Sequence, residues 1–325
     1  MADTITYLEA ISLALKEEML KDEKVYVLGE DVGQFGGAFK VTEGFLDKFG
    51  PERIMDTPLS ESAIIGVAIG SSMVGMKPVV EMQFMDFITS GFTQVVNVAA
   101  KYNWRLGTNI PIVIRGPSGG GVNGGPYHSQ NTEGWFCQTP GLKVVSPATA
   151  VDAKGLLKAA IRDPNPVIYF EHKYLYRRIK EEVPTDDYIT PIGKAAIRRE
   201  GSDISIITYA AQVWEALEAA KELALEGIEA EVVDLRSLIP YDKEMVLESV
   251  KKTGKALVVY ESTLTYGPGS EIASLIASEA FEFLDGPVRR LASKDTPVPY
   301  SKPLEKFFMP NKEKILKVAR ELVAY

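Results

Sequence analysis

The sequence contains few residues that commonly ligate metals or form disulfide bonds, with one cysteine and two histidines among 325 residues. A single cysteine, Cys137, rules out an internal disulfide and favours a reducing compartment, so we expect a cytoplasmic protein. One cysteine with His128 and His172 cannot form an ordinary zinc site. The chain has no P-loop and no GxSxG nucleophile elbow, and its glycine run at 119–125 opens no apolar helix, as a dinucleotide fingerprint would.

Basic clusters and long apolar runs are also missing. The formal net charge is −8, and no group of lysines and arginines forms a phosphate-binding surface. We therefore expect no nucleic-acid partner. The most apolar stretch, 62–76, is too short to cross a bilayer and is interrupted by serines and glycines. The first residues lack the basic-then-apolar pattern of a signal peptide, so we expect no membrane partner either.

Hydrophobic residues make up 46% of the chain, enough at this length for two cores. Short apolar runs alternate with helical segments, which indicates βα units around mostly parallel sheets. The charged, proline-containing segment 177–191 interrupts this alternation and is interpreted as a linker. We predict an α/β fold with two domains, residues 1–185 and 186–325, each a mostly parallel sheet flanked by helices. Residues 88–106 are expected to form one long helix.

The densest glycine segment is 115–130, RGPSGGGVNGGPYHSQ, which contains six glycines and has His128 near its end. Glycine permits positive φ angles and lets a ligand approach the backbone closely, so this segment suits a loop and neither a helix nor a strand. A glycine loop that carries a lone imidazole is typical of an active-site wall. The alternative interpretation is a flexible surface loop with a solvated histidine.

A carboxylate stands at the start of an unusual helix. In 56–63, DTPLSESA, a proline precedes two serines that can cap a helix, and residues 63–75 are nearly all small or apolar. Gly66 and Gly70, four residues apart, would let another helix backbone approach closely. Glu61 is then either an acid that stabilises the first turn through the helix macrodipole or a functional carboxylate.

The order of many short segments resembles the β subunit of thiamine-diphosphate-dependent 2-oxo acid dehydrogenases, and the match covers essentially the whole chain. The segments are GEDVG (29–33), GGAFKVTEGF (36–45), DTPLSE (56–61), EMQFMDF (81–87), PIVIRGP (111–117), HSQ (128–130), PGLKVVSP (140–147), AKGLLKAAIRDPNP (153–166), FEHKYLYR (170–177), DLRSLIPYD (234–242) and DTPVPYS (295–301). The resemblance implies a transketolase-like arrangement, with a pyrimidine-binding α/β domain followed by a transketolase-type C-terminal domain.

The resemblance also implies a divided active site. In this family a Gly-Asp-Gly segment with a downstream asparagine holds Mg²⁺ on the diphosphate, and this chain contains no Gly-Asp-Gly. The family carries that segment on a separate α subunit, which implies an α2β2 tetramer with thiamine diphosphate at the α–β interface. The implied reaction is oxidative decarboxylation of a small 2-oxo acid, with transfer of the acyl unit to the lipoyl group of an acyltransferase.

Roles for individual residues follow from the resemblance. Glu61 would be the acid that bonds a ring nitrogen of the aminopyrimidine and promotes loss of the thiazolium proton, and Phe87 would lie against the pyrimidine ring. Gln83 and Glu30 match motif positions near the same pocket. His128 would donate or accept a proton while the acyl unit passes to the lipoyl group, a task that suits a side chain titrating near neutral pH.

A potassium ion is implied as well. Segment 160–165, AIRDPN, resembles one that holds potassium in related β subunits together with a carbonyl from a neighbouring strand. Backbone carbonyls with one carboxylate and one amide oxygen suit such a hard cation. The residues would be Ile112, Ala160, Ile161, Asp163 and Asn165. The alternative is a helix that ends in Asp-Pro-Asn-Pro and binds no ion.

Related functions remain open at this point. Acetoin dehydrogenases have similar β subunits, while transketolase and deoxyxylulose-phosphate synthase share this domain order but need a further domain with the Gly-Asp-Gly segment. A non-catalytic scaffold would be supported by loss of Glu61 or His128, and both are present. The sequence does not decide between pyruvate and a branched-chain 2-oxo acid, although FEHKYLYR (170–177) is slightly closer to the branched-chain type.

The second domain carries no catalytic motif. By resemblance we expect it to contact its twin and to present the docking surface for the acyltransferase. Asp295 and the helix that begins near Asn311 are the candidates for this surface, and a net charge of −8 would attract a basic docking domain. His172, which follows a strand, is interpreted as a surface or subunit contact.

Overall fold

The computed structural model describes residues 2–325, which form two compact units. The first unit contains residues 2–118 and 135–192, and the second contains 119–134 and 193–325. The glycine-rich loop with His128 therefore groups with the C-terminal half of the chain, although it follows directly on a strand of the first unit.

The helices and strands before residue 193 alternate as the sequence predicts. The α-helices are α1 (Tyr7–Lys21), α2 (Phe45–Phe49), α3 (Glu61–Met73), α4 (Ala100–Leu106), α5 (Gly134–Cys137) and α6 (Ala150–Arg162). The strands are β1 (Ala2–Thr6), β2 (Val25–Gly29), β3 (Ile54–Asp56), β4 (Lys77–Glu81), β5 (Val113–Ser118), β6 (Lys143–Val145), β7 (Val167–His172) and β8 (Lys180–Pro184).

Six strands of the first unit lie in one parallel sheet, in the order β6-β7-β5-β4-β2-β3. Val27, Val79, Val113 and Val167 lie side by side across four of these strands, and each is at most 1% exposed. Strands buried on both faces are expected to be continuous apolar runs, as these are. The prediction of an α/β fold with mostly parallel sheets is confirmed.

The segment interpreted as a linker is partly a strand. Residues 180–184 form β8, which pairs antiparallel with β1 at the N-terminus. Downstream of β8, the Tyr188 hydroxyl donates to the carbonyl of Val151 at 2.9 Å, and the Thr190 hydroxyl donates to Asp152 at 3.1 Å. These bonds to α6 keep the chain with the first unit as far as residue 192, seven residues beyond the predicted domain limit at 185.

The segment expected to form one long helix at 88–106 is helical throughout, but its helix type changes along the way. A 3₁₀ helix (Met85–Gly91) is followed by a π-helical stretch (Gln94–Ala99) and then by α4. The 3₁₀ geometry ends at Gly91, where a Cβ atom would come within 2.5 Å of the Ile65 side chain and 3.2 Å of the Glu61 carbonyl. Glycine is needed here because α3 lies against the backbone, and such local changes of helix type commonly mark functional regions.

From residue 193 onward the alternation resumes. The strands are β9 (Ala196–Arg199), β10 (Ile204–Thr208), β11 (Ala230–Asp234), β12 (Ser237–Ile239), β13 (Ala256–Thr263) and β14 (Arg289–Ser293). The helices are α7 (Gln212–Leu225), α8 (Lys243–Thr253), α9 (Gly269–Glu279), α10 (Lys302–Phe308) and α11 (Lys312–Val323). The sheet order is β14-β13-β10-β11-β9, parallel except for β9 at the edge.

The last helix belongs to the core of the second unit. Ile315, Leu316 and Leu322 of α11 are at most 5% exposed and pack with α7 and with the buried residues of β10, β11 and β13. Burial of a Leu or Ile side chain contributes about 1.5–3 kcal/mol. Loss of three such side chains would therefore cost an amount comparable with the roughly 5–15 kcal/mol of net stability of a whole domain.

Candidate active site

Four of the predicted site residues lie in the segments that follow neighbouring parallel strands of the first unit: Glu30, Glu61, Gln83 and Phe87. β2 ends at Gly29, directly before Glu30, and pairs with β3 on one side and β4 on the other. The Gly29 carbonyl accepts a hydrogen bond from Thr57 N at 3.0 Å, so the chain leaving β3 passes beside the chain leaving β2. This carboxyl edge of the sheet, where α/β proteins bind ligands, therefore carries Glu30, the segment that leads to Glu61, and Gln83 just after β4.

Glu30 and Glu61 interact electrostatically. The Glu30 side chain is 7% exposed, and burial raises its pKa above the usual range. The carboxylates of Glu61 and Asp31 raise that pKa further. Glu61 is the first residue of α3, and Ser60 stands at the N-cap without a side-chain capping bond. An acid at this helix end is favoured by the macrodipole, but its closeness to a second buried acid is not explained by helix stability.

Gln83 and Phe87 lie along the same edge. The Gln83 side-chain amide donates to Asp31 Oδ2 at 3.1 Å, which links it to the pair of glutamates. Phe87, in the 3₁₀ helix after β4, is half-buried, and its ring meets Phe84 edge-on with 5.9 Å between centroids. The sequence analysis did not single out Asp31, although it lies in the motif GEDVG that drew attention to Glu30.

A buried ionic network links the strands that lead to this edge. Arg115 of β5 pairs with Glu81 of β4 and with Glu171 of β7, the latter at 2.7 Å between Nη2 and Oε2. Burial alone would lower the pKa of the Arg115 guanidinium, but the two carboxylates raise it. The Tyr176 hydroxyl donates to Glu171 at 2.6 Å. The network joins three adjacent strands, and sequence reasoning missed it because its members are far apart in the chain.

In the second unit, His128 lies at the end of an ordered loop. Gly119 N donates to the Gln130 carbonyl at 3.1 Å, which closes the loop at its base. His128 follows a short 3₁₀ turn (Gly125–Tyr127) and is half-buried. Gly125 has φ +69°, and a Cβ atom there would lie 2.2 Å from the Tyr300 ring. The flexible-loop interpretation does not fit these close contacts.

The interpretation of His172 as a surface residue is wrong. Its side chain is 2% exposed at the end of β7, within the first unit. The ring stands edge-on to Tyr174 with 6.5 Å between centroids, and the Arg178 guanidinium lies 3.7 Å above the Tyr174 ring. The register of β7 in the middle of the sheet explains this burial.

Two parts of the predicted potassium site, Ile112 and the end of segment 160–165, lie near each other. Val167 N donates to the Ile112 carbonyl at 3.0 Å, which places Ile112 beside the end of segment 160–165. The Asn165 Oδ1 atom is buried and has no hydrogen-bond partner, which leaves an oxygen available to a cation. Asp163 Oδ2 lies 2.5 Å from Lys143 Nζ, so a cation there would share this carboxylate with an ammonium group.

Within residues 2–325, no group of three or more His, Cys, Asp and Glu side chains is arranged to hold a metal ion. None of the helices in the same part of the chain combines the length and the hydropathy needed to cross a membrane.

Two domain families match successive parts of this chain. Residues 3–178 match the family model of the transketolase pyrimidine-binding domain, and residues 193–315 match the transketolase C-terminal domain. The chain is 52% identical over 324 residues to the 2-oxoisovalerate dehydrogenase subunit beta of Bacillus subtilis, covering 99% of each chain. It is 44% identical over 323 residues to the pyruvate dehydrogenase E1 component subunit beta of Staphylococcus aureus, again covering 99% of each.

Solved structures show the same architecture. A split-gene transketolase, described as an inactive β4 tetramer, superposes with a TM-score of 0.81 at 25% identity over 99% of both chains. A transketolase from Pichia stipitis superposes with a TM-score of 0.71 at 17% identity, covering 99% of this chain and 46% of that one. The second likeness concerns the fold alone.

Proposed function

Because this chain belongs to the transketolase-like family of E1 β subunits of 2-oxo acid dehydrogenases, we propose that it forms one half of a thiamine-diphosphate-dependent active site. The enzyme decarboxylates a 2-oxo acid and passes the acyl unit to a lipoyl group, and it works with an α subunit. The observation that best supports this function is the interaction between Glu30 and Glu61 at the carboxyl edge of the first sheet.

The carboxylates of the first unit fit the pyrimidine end of the cofactor. When bound, thiamine diphosphate supplies an acidic thiazolium carbon as the nucleophile for the 2-oxo acid. Glu61 would hydrogen-bond a ring nitrogen of the aminopyrimidine and would exchange a proton with it. Glu30 keeps its own proton more readily than a solvated carboxyl group, because it is buried beside Glu61 and Asp31. A buried acid whose pKa is raised, next to a second acid, forms a suitable site for proton exchange.

Gln83 and Phe87 complete the proposed cofactor contact. Gln83 is oriented by its bond to Asp31, and Phe87 offers a half-buried ring that can lie against the pyrimidine. A phenylalanine at this position supplies an apolar surface and no hydroxyl group. Mg²⁺ on the diphosphate is assigned to the α subunit, because this sequence contains no Gly-Asp-Gly segment.

His128 serves the second half of the reaction in this proposal. Its imidazole donates or accepts a proton while the acyl unit passes to the lipoyl sulfur. The ordered loop around it supports such a role, because an acid–base group must be held in position to contribute its usual factor of about 10² to 10⁴.

A potassium ion bound by the first unit is part of the proposal. The carbonyls of Ile112 and Ala160 each accept one hydrogen bond and retain a second lone pair, and Asn165 Oδ1 is unpaired. Ile161 and Asp163 complete the proposed ligands. An ion there would tie the end of α6 to β5 and so stabilise the first unit.

The contact with the α subunit is placed on α3. Along this helix Ala63, Val67, Gly70 and Val74 lie on one face, and the two valines are 55% and 82% exposed. A Cβ atom on Gly70 would meet nothing within 4 Å, so this face is open to close approach by another backbone. The open position of Gly70 supports the close approach of another backbone predicted from the sequence, and we assign that approach to the α subunit.

Acyltransferase docking stays a proposal for the second unit, with Asp295 and the helix that begins near Asn311 as its predicted residues. Asp295 accepts hydrogen bonds from Thr265 N at 2.9 Å and from the Thr265 hydroxyl at 2.7 Å, which lower its pKa. Removal of α11 would expose the core of the unit, so truncation at Asn311 cannot test docking. Charge reversal at Asp295, which is exposed, is the variant that tests docking on its own.

The substrate is proposed to be a branched-chain 2-oxo acid. The higher identity with the 2-oxoisovalerate relative, 52% against 44% for the pyruvate relative, supports this choice. The single cysteine still favours a reducing compartment such as the cytoplasm.

The test is reconstitution with an α subunit. Calorimetric titration of thiamine diphosphate with Mg²⁺ should show negligible binding to this chain alone and tight binding to the assembled complex. Dye reduction by the complex should then be fastest with 2-oxoisovalerate. Micromolar binding by the isolated chain would contradict the divided site, and faster turnover of pyruvate would change the substrate and leave the reaction class unchanged.

A further inference from the structure

The loop that carries His128 is held by two buried carboxylates of the second unit. Glu261 belongs to β13 and Glu305 to α10, and their side chains are 4% and 3% exposed. Both are far from the loop in sequence, so no local pattern connects them with it.

Glu305 holds the middle of the loop. Its Oε1 atom accepts a hydrogen bond from Gly121 N at 3.1 Å, and its Oε2 atom accepts one from Asn123 N at 3.2 Å. Hydrogen bonds from backbone N–H groups to a carboxylate are stronger than those between neutral groups, particularly where water is excluded. The carboxylate therefore fixes two nearly adjacent peptide groups at once.

Glu261 holds both ends of the loop. Its Oε1 atom accepts from Gly120 N at 2.5 Å and from the Asn131 side-chain amide at 2.8 Å. The neighbouring Ser262 hydroxyl donates to the Asn131 carbonyl at 3.4 Å. The residues that enter and leave the loop are thus bound to the same strand.

The part of the loop next to His128 adds internal bonds. Gly124 N donates to the Ser129 hydroxyl at 3.2 Å, and His128 N donates to the Gly125 carbonyl at 3.4 Å. The backbone on both sides of the imidazole is therefore tied to residues whose own positions depend on the two carboxylates.

We propose that Glu261 and Glu305 are positioning residues that fix the His128 loop for the acyl-transfer half of the reaction. This inference rests on the role proposed for His128. Neither glutamate exchanges a proton with substrate in this account; each acts through the backbone of the loop. Misplacement of a reacting group by about 1 Å can cost on the order of 10²-fold in rate, so loss of either acceptor should slow the transfer step.

Glu305 gives the sharper experiment, because two substitutions separate its hydrogen bonds from its volume. Glu305→Leu removes both acceptor atoms, whereas Glu305→Gln is nearly isosteric and keeps one acceptor oxygen. The control is Glu313→Gln on α11, whose side chain is 61% exposed. All variants are assembled with the α subunit, and hydrogen–deuterium exchange of residues 119–131 is measured beside dye-linked decarboxylation and reduction of a lipoyl domain.

The expected result is faster exchange of loop amides in Glu305→Leu and a fall of lipoyl reduction by about 10-fold or more, well beyond the fall in dye-linked decarboxylation. Glu305→Gln should lie between Glu305→Leu and the unchanged protein in both readouts. Glu313→Gln should match the unchanged protein.

Unaltered exchange of residues 119–131 in Glu305→Leu would overturn the inference, whatever His128 does. Faster exchange with equal losses of dye-linked decarboxylation and lipoyl reduction would also overturn it. This outcome counts only if His128→Gln selectively lowers lipoyl reduction in the same preparations. If His128→Gln shows no such selectivity, the proposed role of His128 fails, and the exchange data still decide whether the carboxylates hold the loop.

Discussion

Glutamates serve opposite purposes in the two units. In the first unit, Glu30 and Glu61 lie near each other and near Asp31, and the mutual repulsion adds to burial in raising the pKa of Glu30. In the second unit, Glu261 and Glu305 are equally buried, but each faces backbone N–H groups of a glycine-rich loop. The side chains are identical in type, and the difference lies in the groups that surround them.

The comparison shows how the surroundings assign a task to a carboxylate. An acid that meets other acids retains affinity for a proton and can exchange it with a ligand. An acid whose oxygens accept several N–H bonds gives the protein a fixed point. The first group is therefore suited to proton transfer with a cofactor, and the second is suited to holding the residue that acts later in the reaction.

The largest effect is expected for Glu61→Gln. Dye-linked decarboxylation by the assembly with the α subunit should fall by a factor on the order of 10² to 10⁴, because an amide cannot deliver the proton. The matched control is Glu271→Gln, since Glu271 is an exposed acid in the first turn of α9. Equal small losses in both variants would mean that Glu61 only stabilises its helix, and the contrast between the two units would then disappear.

A smaller and more selective loss is expected for His128→Gln. Reduction of a lipoyl domain should fall by roughly 10²-fold, the lower end of the range for an acid–base group, while dye-linked decarboxylation should be spared in comparison. Tyr127→Phe, a change at the preceding residue, whose side chain is 65% exposed, serves as control. Parallel losses in both assays would assign His128 to the same step as Glu61.

Ion replacement should affect the first unit alone. If potassium binds at Asn165, exchanging KCl for NaCl should lower the thermal midpoint of the assembly, since an ion at 100 times its Kd stabilises by about 2.7 kcal/mol. Asn165→Ala should remove this dependence, and the exposed Asn97→Ala should keep it. A midpoint that is insensitive to the cation would leave Asp163 with Lys143 as its only partner of opposite charge.

The smallest effect concerns pH. Because the pKa of Glu30 is raised by folding, its stabilising contribution is complete below the ordinary carboxyl pKa and is lost as the pH rises through the higher folded value. Glu30→Gln cannot ionise, so its urea midpoint relative to the unchanged assembly should improve from about pH 4 to pH 8. The exposed Glu52→Gln should show no such trend. A trend of opposite sign would show that Glu30 is stabilised as an anion.

The alternation of apolar runs and helices was enough to predict two α/β units with mostly parallel sheets. Burial on both faces makes each strand a continuous apolar run, which is visible without a structure. The positions of Glu61 and His128 in motifs also directed attention to the two regions compared above. The pairing of β8 with β1 was not predictable, because an edge strand of charged residues such as Lys180 and Glu182 resembles a linker.

What the sequence could not predict depends on long-range contacts. Glu261 and Glu305 lie far in the sequence from the loop residues that they bond, with separations of 130 and 141 for Glu261 and 184 for Glu305. The change of helix type near Gly91 depends on the approach of α3, which no local pattern reveals. Grouping of residues 119–134 with the second unit follows from the same distant contacts.

Deuterium exchange at the thiazolium carbon of bound thiamine diphosphate tests most directly whether Glu61 and His128 act in different steps. It would be measured by acid quench and NMR on assemblies of the α subunit with the unchanged protein, Glu61→Gln or His128→Gln. The account predicts exchange slowed by a factor on the order of 10² to 10⁴ in Glu61→Gln and the unchanged rate in His128→Gln. An unchanged rate in Glu61→Gln, or equal slowing in both variants, would contradict it.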